Sequence, residues 1–168
     1  MFVSHLSIAY NTSMKLESEI AAILKKKKKT IALAESCTGG LISHRITNIP
    51  GSSKYFKGEI VAYSNEIKRS ILDVPSDIIK KNGAVSRAAV RAMAKGARSV
   101  FGTDIAAAVT GIAGPGGGSR AKPVGLAYIA VCSKKSCKTR KILVKGSREE
   151  IKSAFAEAVL REIREFLN

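Results

Sequence analysis

The segment Glu35-Ser36-Cys37-Thr38-Gly39-Gly40 puts two hydroxyls, a thiol and two glycines where a short apolar run gives way to a helical pattern. A strand-to-helix turn of that kind leaves backbone N–H groups free to face an anion, and the helix dipole adds attraction. An ordinary helix cap needs one hydroxyl, so the excess reads as a site. Pro50-Gly51-Ser52-Ser53 is a turn with two more hydroxyls, and Tyr63-Ser64-Asn65-Glu66, with Lys68, follows a predicted strand end. Gly111 to Gly118 holds five glycines and Pro115 in eight residues, and such a loop lets backbone approach a ligand closely. Each segment alone has a plainer explanation as a cap, a turn or a surface lysine. Together they place serines, a tyrosine and a lysine on loops at strand ends, where α/β folds build their sites.

Gly116-x-Gly118-x-x-Ala121 formally matches a dinucleotide fingerprint, but Lys122-Pro123 and a strand follow where that fingerprint requires a helix. No Walker lysine stands in the required place either. The chain has two histidines, His5 and His44, and three cysteines, Cys37, Cys132 and Cys137, with no C-x-x-C spacing. That count argues against a disulfide scaffold and against a structural zinc site. H-E-x-x-H is absent, and a Ser-His-Asp triad would rest on a lone histidine. A hydrolase built on this chain is expected to use neither metal nor histidine, and no cofactor is implied.

The elements that must position these groups follow from periodicity. Leu16, Ile20, Ile23 and Leu24 recur at helical spacing from Met14 to about Lys28, and Thr30 to Glu35 reads as a buried strand. A helix through Leu41, Ile42, Arg45 and Ile46 closes at Pro50-Gly51, and Glu59 to Ser64 alternates like a strand. Short helices are predicted over Asn65–Leu72 and Ser76–Lys81. Ser86 caps a helix running through Val90, Met93, Ala97 and Phe101 to Gly102. Asp104 to Thr110 is a strand-length apolar run, and Pro123–Ser133 with Lys138–Val144 makes a hairpin. Ser147 with Glu150 is a capping box for a last helix with Ile151, Phe155, Val159, Ile163 and Phe166 on one stripe. The predicted class is α/β: a single-domain, three-layer-like sandwich with a mixed sheet flanked by helices. Residues 1–13 lack a period and read as an N-terminal arm or extension before a domain over 14–168.

The 168 residues carry 29 Lys and Arg against 13 Asp and Glu, a net charge of +16. Residues 1–30 hold +4 of it and residues 134–145 hold +6, both outside the segments above. Solvated lysines at a helix end and a hairpin edge explain much of this. Nucleic-acid binding is possible but not favoured, because aromatics are only 5% of the chain and stacking platforms are scarce. No apolar run approaches a membrane span and the start lacks a basic n-region, so a cytoplasmic protein without membrane contact is expected.

Six segments follow one another in an order that resembles the CinA C-terminal domain family: Ala34–Gly40, Pro50–Phe56, Ala62–Lys68, Asn82–Ser86, Thr110–Gly118 and Lys122–Ala130. The resemblance covers roughly Met14 to Asn168 and implies a nicotinamide mononucleotide deamidase. Such an enzyme hydrolyses the carboxamide to nicotinic acid mononucleotide and ammonia, without metal, by a serine/lysine mechanism. The length implies the stand-alone form, without the molybdopterin-binding-like domain of longer members, and the resemblance favours a homodimer. Lys68 matches the family lysine. Ser36 and Ser53 both fall in family motifs, and Ser53 is the favoured nucleophile. Ser36, Thr38, Gly39 and Gly40 at a helix start suit an oxyanion or a phosphate better. Tyr63 and Thr110 would orient the pair or the amide, the loop with Gly111, Gly114 and Gly116 would wall the nucleotide, and Arg148 would meet the phosphate. The family's link to competence and DNA damage leaves a nucleic-acid-binding or nucleotide-sensing role on an inactive scaffold as the alternative.

Overall fold

The computed structural model describes residues 15–168; the 1–13 arm lies outside the described residues. Helix α1 (Lys15–Lys27) buries Leu16, Ile20 and Leu24. It leads into β1 (Ile31–Glu35), which is buried along its whole length. After α2 (Leu41–Thr47) and a 3₁₀ turn (Ser52–Lys54), β2 (Phe56–Val61) lies parallel to β1. Helices α3 (Asn65–Ser70), α4 (Ser76–Asn82) and α5 (Arg87–Phe101) then cross over to β3 (Ile105–Gly111), parallel to β1 on its other side. The hairpin β4 (Leu126–Ser133) and β5 (Cys137–Leu143) is antiparallel, and α6 (Arg148–Leu167) closes the described chain. The sheet order is β2-β1-β3-β4-β5.

Strand alternation sorts the core into two layers. Ile31, Leu33, Val109, Ile129 and Val131 join α1, α2 and α6 in one cluster. Ala34, Ala106, Ala108 and Ala130 face the other way, against Val90, Met93, Ala94 and Ala97 of α5. Alanines on that face let α5 lie close to the sheet. With six α-helices on the two faces of one mixed sheet, the described residues form the α/β sandwich that the periodicity implies.

The caps also agree with expectation. Ser86 accepts from the Ala89 amide, Gly102 ends α5 at φ 60°, and Ser147 and Glu150 complete a capping box on α6. The second strand differs. It begins at Phe56 rather than Glu59, because parallel pairing starts where Ile31 donates to the Tyr55 carbonyl. It ends at Val61 because Ser64 turns away to cap α3, accepting from the Ile67 amide. Cys132 and Cys137 are opposite residues of the hairpin, with Cα atoms 4.0 Å apart, and form a disulfide. An odd count of three cysteines gave no sign of this pairing, which the strand register creates.

Candidate active site

Three parallel strands run the same way, so the segments that follow them, Ser36–Gly40, Tyr63–Asn65 and Gly111–Gly117, meet at one end of the sheet. They enclose a cavity of about 280 Å³ lined by Ser36, Cys37, Tyr63, Lys68, Thr110 and Arg148, with Gly111, Gly114 and Gly116 in its wall.

Lys68 is the largest polar side chain in this region to be taken out of water, 2% exposed on α3. Its Nζ lies 3.1 Å from Ser36 Oγ and donates to the Ala62 carbonyl at 2.7 Å. Burial disfavours the charged amine and pushes its pKa below the ordinary lysine value; the Cys37 sulfur nearby opposes this. A neutral amine at that distance can accept the Ser36 proton, so the pair has the reach of a nucleophile and its base. Cys37, beside Ser36, is a poor rival: burial raises its thiol to about 12, so the thiolate is scarce at neutral pH.

The turn carrying Ser36 is braced from the residue before it. Glu35 is fully buried, and its carboxylate accepts from the amides of Gly40, Ile42 and Ser43 at 2.9–3.0 Å. Gly40, in the left-handed region at φ 94°, offers α2 no side-chain cap, and Glu35 serves in its place. The Ser36–Gly40 loop is thereby closed on itself. Sequence reasoning passed over Glu35; its signal was an acid at the end of an otherwise apolar strand, just before a helix start.

Glu59 of β2 packs beside Glu35. Burial and that neighbour raise its pKa to about 7, against a hydrogen bond with Ser43 that lowers it. Its Oε2 is buried without a partner among the described residues. Because the folded form holds this proton more tightly than the unfolded chain, stability falls as pH rises from about 4.5 to about 7 and stays lower above. Glu59→Gln is expected to melt higher than the parent at pH 8 by about 1–2 kcal/mol of stability, with the gain vanishing near pH 4. Thermal unfolding across that range checks it, and a gain independent of pH would contradict the assignment.

The remaining predicted residues divide by position. Arg148, at the first turn of α6, donates to the Tyr63 hydroxyl at 3.1 Å and to the Gly114 carbonyl, tying two rims of the cavity together. Gly114 has φ 77°, and a Cβ there would stand 2.6 Å from Val124. Thr110, 1% exposed, donates to the Ala84 carbonyl at 3.0 Å and so holds the Asn82–Ser86 segment against the cavity. Thr38 is buried in the Ser36 turn with its hydroxyl unpartnered among the described residues. Gly39, at φ 64°, is within 3.8 Å (from its would-be Cβ) of Lys152 Nζ on α6. Asn65, which also lines the cavity, was named only as part of the Tyr63–Lys68 segment, and Lys152 was not singled out from sequence, where a helix-surface lysine carries no mark.

Ser53 lies elsewhere. It is exposed on the 3₁₀ turn before β2 and does not line the cavity. A residue that precedes one parallel strand and a residue that follows its neighbour stand at opposite ends of the sheet, about 15 Å apart for a five-residue strand. The structure brings Lys68 together with Ser36 and not with Ser53.

Among the described residues no three His, Cys, Asp or Glu side chains are grouped as metal ligands, and no helix is long and apolar enough to cross a membrane.

The model of the CinA C-terminal domain matches residues 13–167. A CinA-like protein of Geobacter sulfurreducens is 46% identical over 149 residues, 89% of this chain and 36% of the relative. One from Dictyoglomus thermophilum is 50% identical over 137 residues, 82% of this chain and 33% of the relative. The chain thus spans about a third of the length of the curated relatives it matches. Among solved structures, the competence/damage inducible protein CihA of Agrobacterium tumefaciens superposes with a TM-score of 0.85 at 35% identity, covering 93% of this chain and 97% of that one. The competence or damage-inducible protein of Enterobacter asburiae gives 0.90 at 28% identity, covering 94% and 99%. By a match that runs through every strand and helix described above, the chain belongs to the CinA family, through its C-terminal domain.

Proposed function

We propose that the protein is a metal-independent amidohydrolase that converts nicotinamide mononucleotide to nicotinic acid mononucleotide and ammonia. The observation that carries this reading is the buried Lys68 amine 3.1 Å from Ser36 Oγ at the floor of a small cavity. Ser36 is the nucleophile in this reading.

As Ser36 Oγ attacks the carboxamide carbon, its proton passes to neutral Lys68. The carbonyl oxygen takes the negative charge and is met by backbone N–H groups of the turn that follows Ser36. The resulting Lys68 ammonium returns the proton to the departing nitrogen, the C–N bond breaks and ammonia leaves. Water then adds to the Ser36 ester with Lys68 again as base, and the carboxylate departs as the serine hydroxyl is restored. Thr110 and Tyr63 hold the walls around the amide. A cavity of about 280 Å³ suits a single ring with its amide, at the small end of ligand pockets. The phosphate then projects to the rim, where Arg148 stands. The homodimer that the resemblance implies is part of the reading and is checked by light scattering.

Purified protein is expected to release ammonia from nicotinamide mononucleotide in the presence of a chelator. Because Lys68 must be neutral, kcat/KM rises with pH to a plateau, half-risen below the ordinary lysine range. Release that stops with chelator, or a rate that falls across that range, would sink the mechanism. Arg148→Met is expected to raise KM about tenfold or more while changing kcat less, as the loss of a charge-assisted contact to the phosphate does. Steady-state kinetics decide it, and an unchanged KM would remove Arg148 from the phosphate site.

A further inference from the structure

Two features of the sequence have no part in this site: the run Lys25–Lys29, and the segment Pro50–Phe56 with Ser53 in it. The fold brings them to one place. α1 and the 3₁₀ turn both end where β1 and β2 begin, at the pole of the sheet opposite Ser36. Between them is a second cavity of about 390 Å³, lined by Lys25, Lys28, Lys29, Lys54 and Tyr55 among others.

Four lysines line this concavity, and among the described residues one carboxylate pairs with any of them, Asp104, 2.9 Å from Lys29. Like charges around one concave surface repel, and the same field concentrates anions. Lys25 is held inward, its ammonium 5.8 Å from the centroid of the Tyr55 ring and 3.7 Å from where a Gly51 side chain would begin.

One local cost is left standing here. The end of α1 is a Schellman motif, with Lys28 donating to the Lys25 carbonyl at 3.2 Å and Lys29 to the Leu24 carbonyl at 2.9 Å. Its left-handed residue, commonly glycine, is Lys28 at φ 51°. Glycine would hold that conformation without strain, so the side chain is retained at a cost. An oxyanion in the cavity accounts for this, as partner for the Lys28 ammonium.

We propose that this cavity binds a compact phosphate-type oxyanion of two or more negative charges, held by Lys25, Lys28 and Lys54. A discrete anion is favoured over a nucleic-acid strand because the one aromatic ring at the site is buried beneath the lysines and offers no face for stacking.

Isothermal titration of the whole chain with inorganic pyrophosphate, at fixed ionic strength and with sulfate as reference, tests this. Pyrophosphate is expected to bind about tenfold or more tighter than sulfate, and Lys25→Met and Lys54→Met each to weaken it about tenfold. Lys28→Gly gives a crossed result that a merely structural lysine would not: a higher melting temperature without ligand, and weaker pyrophosphate binding. Arg148→Met, at the other pole, keeps the pyrophosphate affinity. Equal affinity for the two anions, indifference to the lysine substitutions, or loss of binding in Arg148→Met instead overturns the proposal. So does a short DNA duplex that binds through these lysines while pyrophosphate does not.

Discussion

Lys68→Met is expected to abolish ammonia release from nicotinamide mononucleotide, lowering kcat by about 10³-fold or more, while the protein stays folded. The rate loss follows from removing the group that both takes the Ser36 proton and returns it to the leaving nitrogen; general acid–base steps of this kind are worth about 10²–10⁴ each. Folding is expected to survive because methionine matches the lysine stem in length and removes an amine whose charge is costly at 2% exposure. The Ala62 carbonyl loses its 2.7 Å donor, a cost of about 1–3 kcal/mol that offsets the relief. Circular dichroism and a melting curve that stay close to the parent, beside an absent rate, are the expected pair of results. A folded variant that still turns over would exclude Lys68 as the base.

Ser36→Ala is expected to lose about 10⁴-fold or more in kcat, and Ser53→Ala to stay within about threefold of the parent, since removing a covalent nucleophile costs far more than removing a distant hydroxyl. The contrast rests on topology. Ser36 follows β1 and stands 3.1 Å from Lys68, whereas Ser53 precedes β2 on an exposed turn. Turnover in both serine variants would argue for direct attack by water activated at Lys68. Loss in Ser53→Ala alone would mean that the 3₁₀ turn reaches a site the cavity does not show. Pre-steady-state assays with substrate in excess over enzyme separate these cases, because an acyl-enzyme that hydrolyses slowly appears as a burst of ammonia.

The helices and strands were legible because each must bury a stripe or a face, and burial leaves a period in the sequence. Ile151, Phe155, Val159 and Ile163 announce α6, and the unbroken run Ile105–Val109 announces a strand buried on both faces. Boundaries were less so. β2 begins three residues before its alternating stretch because the Tyr55 carbonyl is already engaged by Ile31, a contact with a strand far away in sequence. Much of the site was legible as residue types: Ser36, Tyr63, Lys68, Thr110, Gly111, Gly114, Gly116 and Arg148 all stand at one cavity. Glu35 was not, since a carboxylate that folds back on three amides of the following turn looks like any acid at a strand end.

The sequence by itself determined the class of fold, the order of elements, the caps and the set of polar loop segments, because propensity, capping and hydrophobic period are local properties of a chain. Only the tertiary structure decided which of those segments meet. Strand direction sends Ser36 and Lys68 to one pole of the sheet and Ser53 to the other, and hairpin register sets Cys132 against Cys137. Likewise the lysines of α1 converge with Lys54 and Tyr55 at the second pole. Direction and register arise from pairings between residues distant in sequence, and those pairings are chosen by the packing of the whole sheet, not by any segment read alone.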